Sequence, residues 1–303
     1  MVHFFRHYKD LESDKWSKVL GWVDNAQTEE LINQPAAACD SRQLGLKCSQ
    51  SGQHASRSMK KNRSKPTAQA LRRSLRELAR VARVLALEGH EDITLGHVSM
   101  RDPAGRGLWI KRGGIGLGEV GAKDFQLIDF DGNLLQGKGE RHNEWPIHAE
   151  LLRTRPEIDF VGHTHADYIV LMSCLDEELR PYTHAAVFFD PIPPRFTQTS
   201  ELITTPELGR ALAAAVGGAA AAIIRNHGCC FVGRSVAELC TNGILLRQAC
   251  EIQFKLSLSN ARQVWPEAAE AARKRAALSV NASGVELYWN YYRRKLEQHE
   301  KRR

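Results

Sequence analysis

The sequence predicts one mixed α/β domain preceded by a polar extension, and three observations carry that prediction. Segments of strand and helix character alternate unevenly from Thr67 onward. A hairpin signal, Asp131-Gly132, separates two of the strand segments, and such turns join antiparallel neighbours. No stretch recurs at a fixed period, so solenoids and propellers are set aside. Regular strand–helix alternation would favour a doubly wound parallel sheet, whereas this uneven order favours a sheet that mixes hairpins with crossovers.

The elements follow in order. Ser, Gln, Asn, Lys and Arg dominate from Ser41 to Lys65 without strand patterning. Residues 1–65 are therefore expected to be a poorly ordered basic extension, with a short helix fitting residues 15–32, and the domain is expected over residues 66–303. Leu71, Leu75, Leu78, Ala82 and Leu85 recur at helical spacing until Gly89. Residues 93–101 read as a loop or short strand, 108–111 and 125–129 as strands, and Leu134-Leu135 as the far arm of the hairpin. Residues 144–154 read as a helix with Trp145, Ile147, His148, Leu151 and Leu152 inward, 160–166 as a strand and 168–174 as a helix. Thr205-Pro206-Glu207 supplies a capping hydroxyl and a first-turn proline, and Gly217-Gly218 stops that helix. Residues 219–225 form a buried strand. Ser235-Val236-Ala237-Glu238 is a capping box that opens a long helix to about Leu258. Two further helices fit residues 266–278 and 284–300.

Composition narrows the function classes. The chain has 303 residues, a net charge of +7, 43% apolar and 25% charged residues, which suits a globular protein. No apolar run reaches the roughly 18 residues of a membrane helix, and the first residues lack a secretory apolar core. A cytosolic protein without a membrane partner is expected. The seven cysteines are irregularly spaced and contain no C-x-x-C pair, so they read as reduced, packed thiols rather than disulfides or a zinc ribbon. Much of the basic excess lies in two runs, from Arg57 to Lys65 and from Arg293 to Arg303. These read as solvated edges, and no nucleic-acid partner is expected.

The chemistry centres on His163-Thr164-His165. On a strand, positions i and i+2 share a face, so two imidazoles can bind one metal; two hydrogen-bonded histidines with no metal give the same pattern. His227, in Arg225-Asn226-His227-Gly228 after a buried strand, adds a third imidazole at a cleft-facing position. Three histidines with an open position is the arrangement of a catalytic metal site, suited to Zn, Mn, Fe or Co. Glu144, at the head of the helix leading to the His163 strand, is a base or further ligand; its other reading is a first-turn acid that complements the helix dipole.

Five motifs in order carry a resemblance: Gly96-His97-Val98-Ser99 with Arg101; Glu144 with His148; Arg155-Pro156-Glu157-Ile158; His163-Thr164-His165; and Asn226-His227-Gly228 with Gly233 and Glu238. Over residues 67–255 the chain resembles the class II aldolase/adducin family. The resemblance implies an α/β/α sandwich around a central mixed, mainly antiparallel sheet and a homotetramer with its site near a subunit interface. It also implies one divalent ion per subunit held by His163, His165 and His227, with Glu144 as base and sometimes a ligand.

Departures from the family's sugar-phosphate aldolases bear on substrate. His97 stands where their phosphate cradle has Asn, Gly116-Leu117-Gly118-Glu119-Val120 carries no hydroxyl, and Arg141-His142-Asn143 replaces a serine-rich approach to Glu144. Glu119, if it points inward, repels a phosphate. The G-H-V-S-x-R-D form resembles the branch that decarboxylates aromatic or heteroaromatic acids. The expected activity is therefore a metal-dependent carbon–carbon lyase acting on a small hydroxylated carboxylic acid, with Glu144 and His97 catalytic and Arg101, Arg141, His142 and Asn143 binding substrate. Arg112 is a further candidate for the carboxylate, and Tyr288, Tyr291 or Tyr292 for a neighbouring subunit's site. Rival readings are an aldolase acting on a non-phosphorylated hydroxy-ketone or keto acid, an aromatic-acid iron oxygenase, and a non-catalytic adducin-like scaffold.

Overall fold

A computed structural model describes residues 67–278 and 282–302, all within the unit Lys60–Arg303. The extension over residues 1–65 and the helix expected over residues 15–32 lie outside the described residues.

Eight strands make one sheet among the described residues: β1 (His97–Arg101), β2 (Leu108–Lys111), β3 (Phe125–Ile128), β4 (Leu134–Gln136), β5 (Phe160–Thr164), β6 (Arg195–Phe196), β7 (Ala221–Ile224) and β8 (Gly228–Gly233). Their spatial order is β4-β3-β2-β1-β5-β8-β7-β6. Every neighbouring pair is antiparallel except β6 and β7, which are parallel. The helices are α1 (Ala68–Leu85), α2 (Trp145–Thr154), α3 (Asp167–Ser173), α4 (His184–Val187), α5 (Pro206–Val216), α6 (Val236–Ser257), α7 (Ala268–Ala277) and α8 (Ala282–Lys301).

Apolar residues sort into two cores, one on each side of the sheet. Ala221, Ile223, Cys229 and Phe231 face α1, α3, α6 and α8, packing with Leu78, Met172, Ile244 and Trp289. Their immediate neighbours Ala222, Ile224, Cys230 and Val232 face α2 and α5, packing with Ile147, Leu151, Leu212 and Val216. This is the period-2 rule applied to strands covered on both faces, which therefore read as unbroken apolar runs. The sandwich is thus α/β/α around a mixed, mainly antiparallel sheet.

Local chemistry sets the boundaries. Thr67 Oγ1 accepts from Ala70 N to cap α1, and Gly89 adopts the left-handed φ of 85° just past that helix. Thr205 Oγ1 caps α5 and Gly217 ends it with φ 52°. Ser235 Oγ accepts from Glu238 N, which is half of the expected box; the return half goes to Arg234 N, which donates to Glu238 Oε2 at 2.8 Å. The expected strand over 160–166 closes at Thr164, because the chain turns there toward α3. Strands β6 and β8 and the one-turn helix α4 were not anticipated.

All five cysteines among the described residues are free thiols. Burial pushes Cys229 up to about 12, so it packs as a small hydrophobe. No described helix is long and apolar enough to cross a membrane.

Candidate metal centre

Three pieces of backbone bring the centre together. β5 sits between β1 and β8, with His163 opposite His97 on one side and Cys230 on the other. His165 lies one residue beyond β5. The β7–β8 hairpin closes with Ile224 opposite Gly228, so Arg225-Asn226-His227 form its turn, and Asn226 takes the left-handed φ of 52° that Asn tolerates. Glu144 caps the N-terminal end of α2 without a side-chain capping bond, which frees its carboxylate for the cleft.

One donor atom from each of Glu144, His163, His165 and His227 lies within 4.8 Å of the other three. His163 Nε2 is 2.9 Å from His165 Nε2 and 3.4 Å from Glu144 Oε2, and His227 Nε2 is 3.5 Å from Glu144 Oε1. His163 Nδ1 and both ring nitrogens of His227 are buried without a hydrogen-bond partner. Buried polar atoms are rarely left so. Three imidazoles and a carboxylate converging with unsatisfied nitrogens fit a divalent cation of the Zn, Mn, Fe or Co type. Glu144 Oε1 also accepts from Ile203 N at 2.8 Å, which ties the carboxylate to the segment before α5. Burial opposes ionisation of Glu144, yet the closeness of the His163 and His227 rings holds its carboxyl well below the usual range.

Behind His163, on the α2 side of the sheet, lies a second group of imidazoles. The His97 ring is 5.0 Å from His163, 4.8 Å from His148 and 4.3 Å from His142. His97 Nδ1 and His148 Nε2 are 2.6 Å apart, and His148 Nδ1 and Ser99 Oγ are 2.6 Å apart. His97 is lowered well below its usual range by burial, then by His142, His148, His163 and Lys111. Burial, with Lys111 and His163, takes His142 down to about 3. These rings are neutral at physiological pH, so each offers one N–H donor and one lone pair.

A family model described as the class II aldolase and adducin N-terminal domain matches residues 76–254. The chain belongs to the class II aldolase and adducin family. Among its relatives, a meiotically up-regulated gene 14 protein of Schizosaccharomyces pombe is 29% identical over 67% of this chain and 81% of its own length. A 3,4-dihydroxyphthalate decarboxylase of Arthrobacter keyseri is 32% identical over 53% of this chain and 69% of its own. The crystal structure of an aldolase II superfamily protein from Pseudomonas syringae superposes with a TM-score of 0.69 at 25% identity, covering 75% of this chain and 93% of that one.

Within this class II aldolase fold, the residues expected at the site divide. Glu144, His163, His165, His227, His97 and His142 gather as described. Arg101 does not, and its expected substrate role is corrected. It ends β1 four residues from His97, about 13 Å along an extended strand. Its guanidinium donates to the carbonyls of Leu152, Arg155 and Ile158 and pairs with Asp159, so it closes the C-terminal end of α2. Arg141 and Asn143 project to the other side of the chain from His142 and line an exposed groove with Gly132, Leu134 and Glu140. Arg141 donates to the Gly132 carbonyl and stacks on Trp145 at 5.1 Å. Arg141 and Asn143 thus stand apart from the histidine cluster within the chain. Arg112 pairs with Asp124. Glu119 folds back to accept from Gly116 N at 2.7 Å, capping its own turn. Tyr292 is half-buried against the helical core, Tyr288 lines a cavity beside α4 and α6, and Tyr291 is exposed.

Two contributors escaped sequence reasoning. Asp92 Oδ2 is 2.9 Å from His165 Nδ1, across a separation no local pattern signals. Lys111 is fully buried on β2, where its Nζ donates to the carbonyls of Thr94, Arg112 and Ile115. A lysine closing the apolar run Leu108-Trp109-Ile110 was the available signal.

Proposed function

We propose that the chain is a divalent-metal-dependent lyase that decarboxylates a small hydroxylated aromatic or heteroaromatic acid. The observation that carries this reading is the convergence of Glu144, His163, His165 and His227 on one point. A divalent ion held there supplies Lewis-acid stabilisation of negative charge developing on a substrate oxygen. A complete donor set also weighs against the non-catalytic scaffold reading.

The surroundings of the cluster support the substrate class. The cleft over His165 and His227 has a volume of about 720 Å³ and is lined by Glu91, Asp92, Asp167, Ser200 and Asn226 together with Val170, Leu171 and Leu202. No lysine or arginine stands among its lining residues. The acidic groups accept hydrogen bonds from substrate hydroxyls, while the aliphatic wall receives a ring face. On the inner side, His97 and His142 occupy motif positions that by resemblance carry the phosphate cradle in the family's sugar-phosphate aldolases, and their imidazole N–H groups suit a single carboxylate.

Decarboxylation breaks the ring carbon–carboxyl bond, releases carbon dioxide and leaves the electron pair on the ring carbon, where a proton must be added. That proton comes from solvent and is relayed to the carbon: His97 has Nδ1 committed to His148, which leaves Nε2 to take up the proton and pass it on, and the Glu144 carboxylate is the second group able to relay it. The test is carbon dioxide release by metal-loaded protein from dihydroxybenzoates, hydroxyphthalates and pyridine dicarboxylates, beside aldol cleavage of fuculose and rhamnulose phosphates. Turnover of at least one acid is expected. Cleavage of a sugar phosphate with no carbon dioxide from any acid overturns the reading in favour of an aldolase.

A further inference from the structure

The metal-centre reading leaves Asp92 without a role, and three observations converge on it. The first is its contact: the carboxylate accepts from His165 Nδ1 at 2.9 Å, which fixes the tautomer and leaves His165 Nε2 as a lone pair facing His163 Nε2. The second is the next residue. Ile93 holds a φ of 48°, a conformation β-branched side chains avoid, and its side chain is 80% exposed. Nothing in core packing compensates that strain, and strain of this kind persists where surrounding structure enforces it, commonly at functional sites.

The third is what does the enforcing. Leu95 N donates to the Asp92 carbonyl at 2.8 Å. The buried Lys111 Nζ donates to the Thr94 carbonyl at 3.2 Å and to the Ile115 carbonyl at 2.6 Å. Glu91 Oε1 accepts from Gly118 N at 3.0 Å. The turn is therefore clamped on both flanks of Ile93 to the segment that follows β2.

We infer that Asp92 is a positioning residue for His165, held in place by a strained turn that Lys111 clamps. The inference rests on the metal-centre reading. An outer carboxylate on a ligating imidazole orients the ring and raises the basicity of its other nitrogen. An ordinary surface ion pair needs neither the strained backbone nor the buried ammonium.

The test uses the full chain in apo form, with zinc affinity measured by chelator competition, the visible spectrum of the cobalt(II)-loaded protein, and the apo melting temperature. Asp92→Ala is expected to weaken zinc by roughly 10–100-fold, to change the cobalt spectrum and to leave the apo melting temperature at the wild-type value. Asp92→Asn keeps an acceptor oxygen and should weaken zinc by a smaller factor. Asp167→Asn removes another carboxylate from the same cleft and should leave zinc affinity unchanged. Equal weakening by Asp167→Asn assigns the effect to the general field of the cleft and overturns the inference. So does an Asp92→Ala protein with wild-type zinc affinity and cobalt spectrum, or one that only melts earlier. A wild-type protein that takes up no divalent ion removes the metal-centre reading as well, whereas zinc binding indifferent to Asp92 removes this inference alone.

Discussion

Gly228 is the position at which the geometry of the proposed metal centre is most exposed to a single atom. It follows His227 directly and opens β8 against the end of β5. A Cβ built there meets the His165 Cδ2 atom at 2.8 Å and lies closer still to the Thr164 carbonyl oxygen. An ordinary carbon–carbon contact is about 3.5 Å, so Gly228→Ala demands at least about 0.7 Å of separation. Neither obstacle can swing aside, since one is backbone and the other is the ring of a proposed ligand. Overpacking of this kind costs about 1–3 kcal/mol, or roughly 2–4 °C of apo melting temperature per kcal/mol in a domain of this size. The effect on the ion is larger. Ligand distances must hold to within about 0.2 Å, so the displacement takes His165 or His227 out of reach. Calorimetry of the apo protein and zinc titration by chelator competition read the two effects separately. Zinc affinity should fall by more than the roughly 10–100-fold typical of a lost supporting contact. A Gly228→Ala protein with wild-type zinc affinity would refute the idea that this close approach sets the spacing of His165 and His227.

Further outcomes are open to direct measurement. His163→Ala and His165→Ala should each lose bound metal by elemental analysis together with activity; full occupancy in either variant sinks the ligand assignment. Burial, then Arg112, takes Lys111 from 10.5 to about 8. Between those values the unfolded chain carries the extra proton, so this group makes the fold more stable as pH rises from about 8 to 10.5. Lys111→Met should abolish that part of the slope in pH-dependent urea unfolding; a variant that keeps the slope would refute the assignment to Lys111. A Cβ at Gly162 runs into the fully buried Phe231 ring, which Gly243 also abuts. Gly162→Ala should therefore cost about 1–3 kcal/mol in denaturant unfolding, and adding Phe231→Leu should recover part of it. Deleting residues 1–65 should leave melting temperature and metal content unchanged; a large loss of either refutes the view of that stretch as a dispensable extension.

Where the sequence was legible, local chemistry decided the structure. The strand Leu108–Lys111 and the start of α6 follow from apolar patterning and a capping hydroxyl, both written within a few residues. β8 was missed because Gly-Cys-Cys-Phe-Val-Gly is buried on both faces and so shows no alternation. The histidines of the cluster were legible because their spacing and flanking glycine are local. Arg101 was misjudged for the opposite reason. Whether Arg101 meets a substrate or a helix end depends on which end of β1 faces the cleft, and that is fixed only when β1 pairs with β5. Asp92 could not be found at all, since its link to His165 exists only after residues far apart in the chain have met.

The position of β5 in the middle of the sheet also has a kinetic meaning. His163 finds its neighbours in β1, far earlier in the chain, and in β8, far later. Such non-local pairings must pay loop-closure entropy before any contact rewards them, and chains built this way fold slowly. Glu144, His163 and His165 lie close together in the chain, whereas His227 reaches them only when β8 pairs with β5, so the fourth donor arrives with a long-range contact rather than a local one. In the proposed metal centre, three donors are thus set by one short stretch of chain, and the pairing of β5 with β8 completes the set.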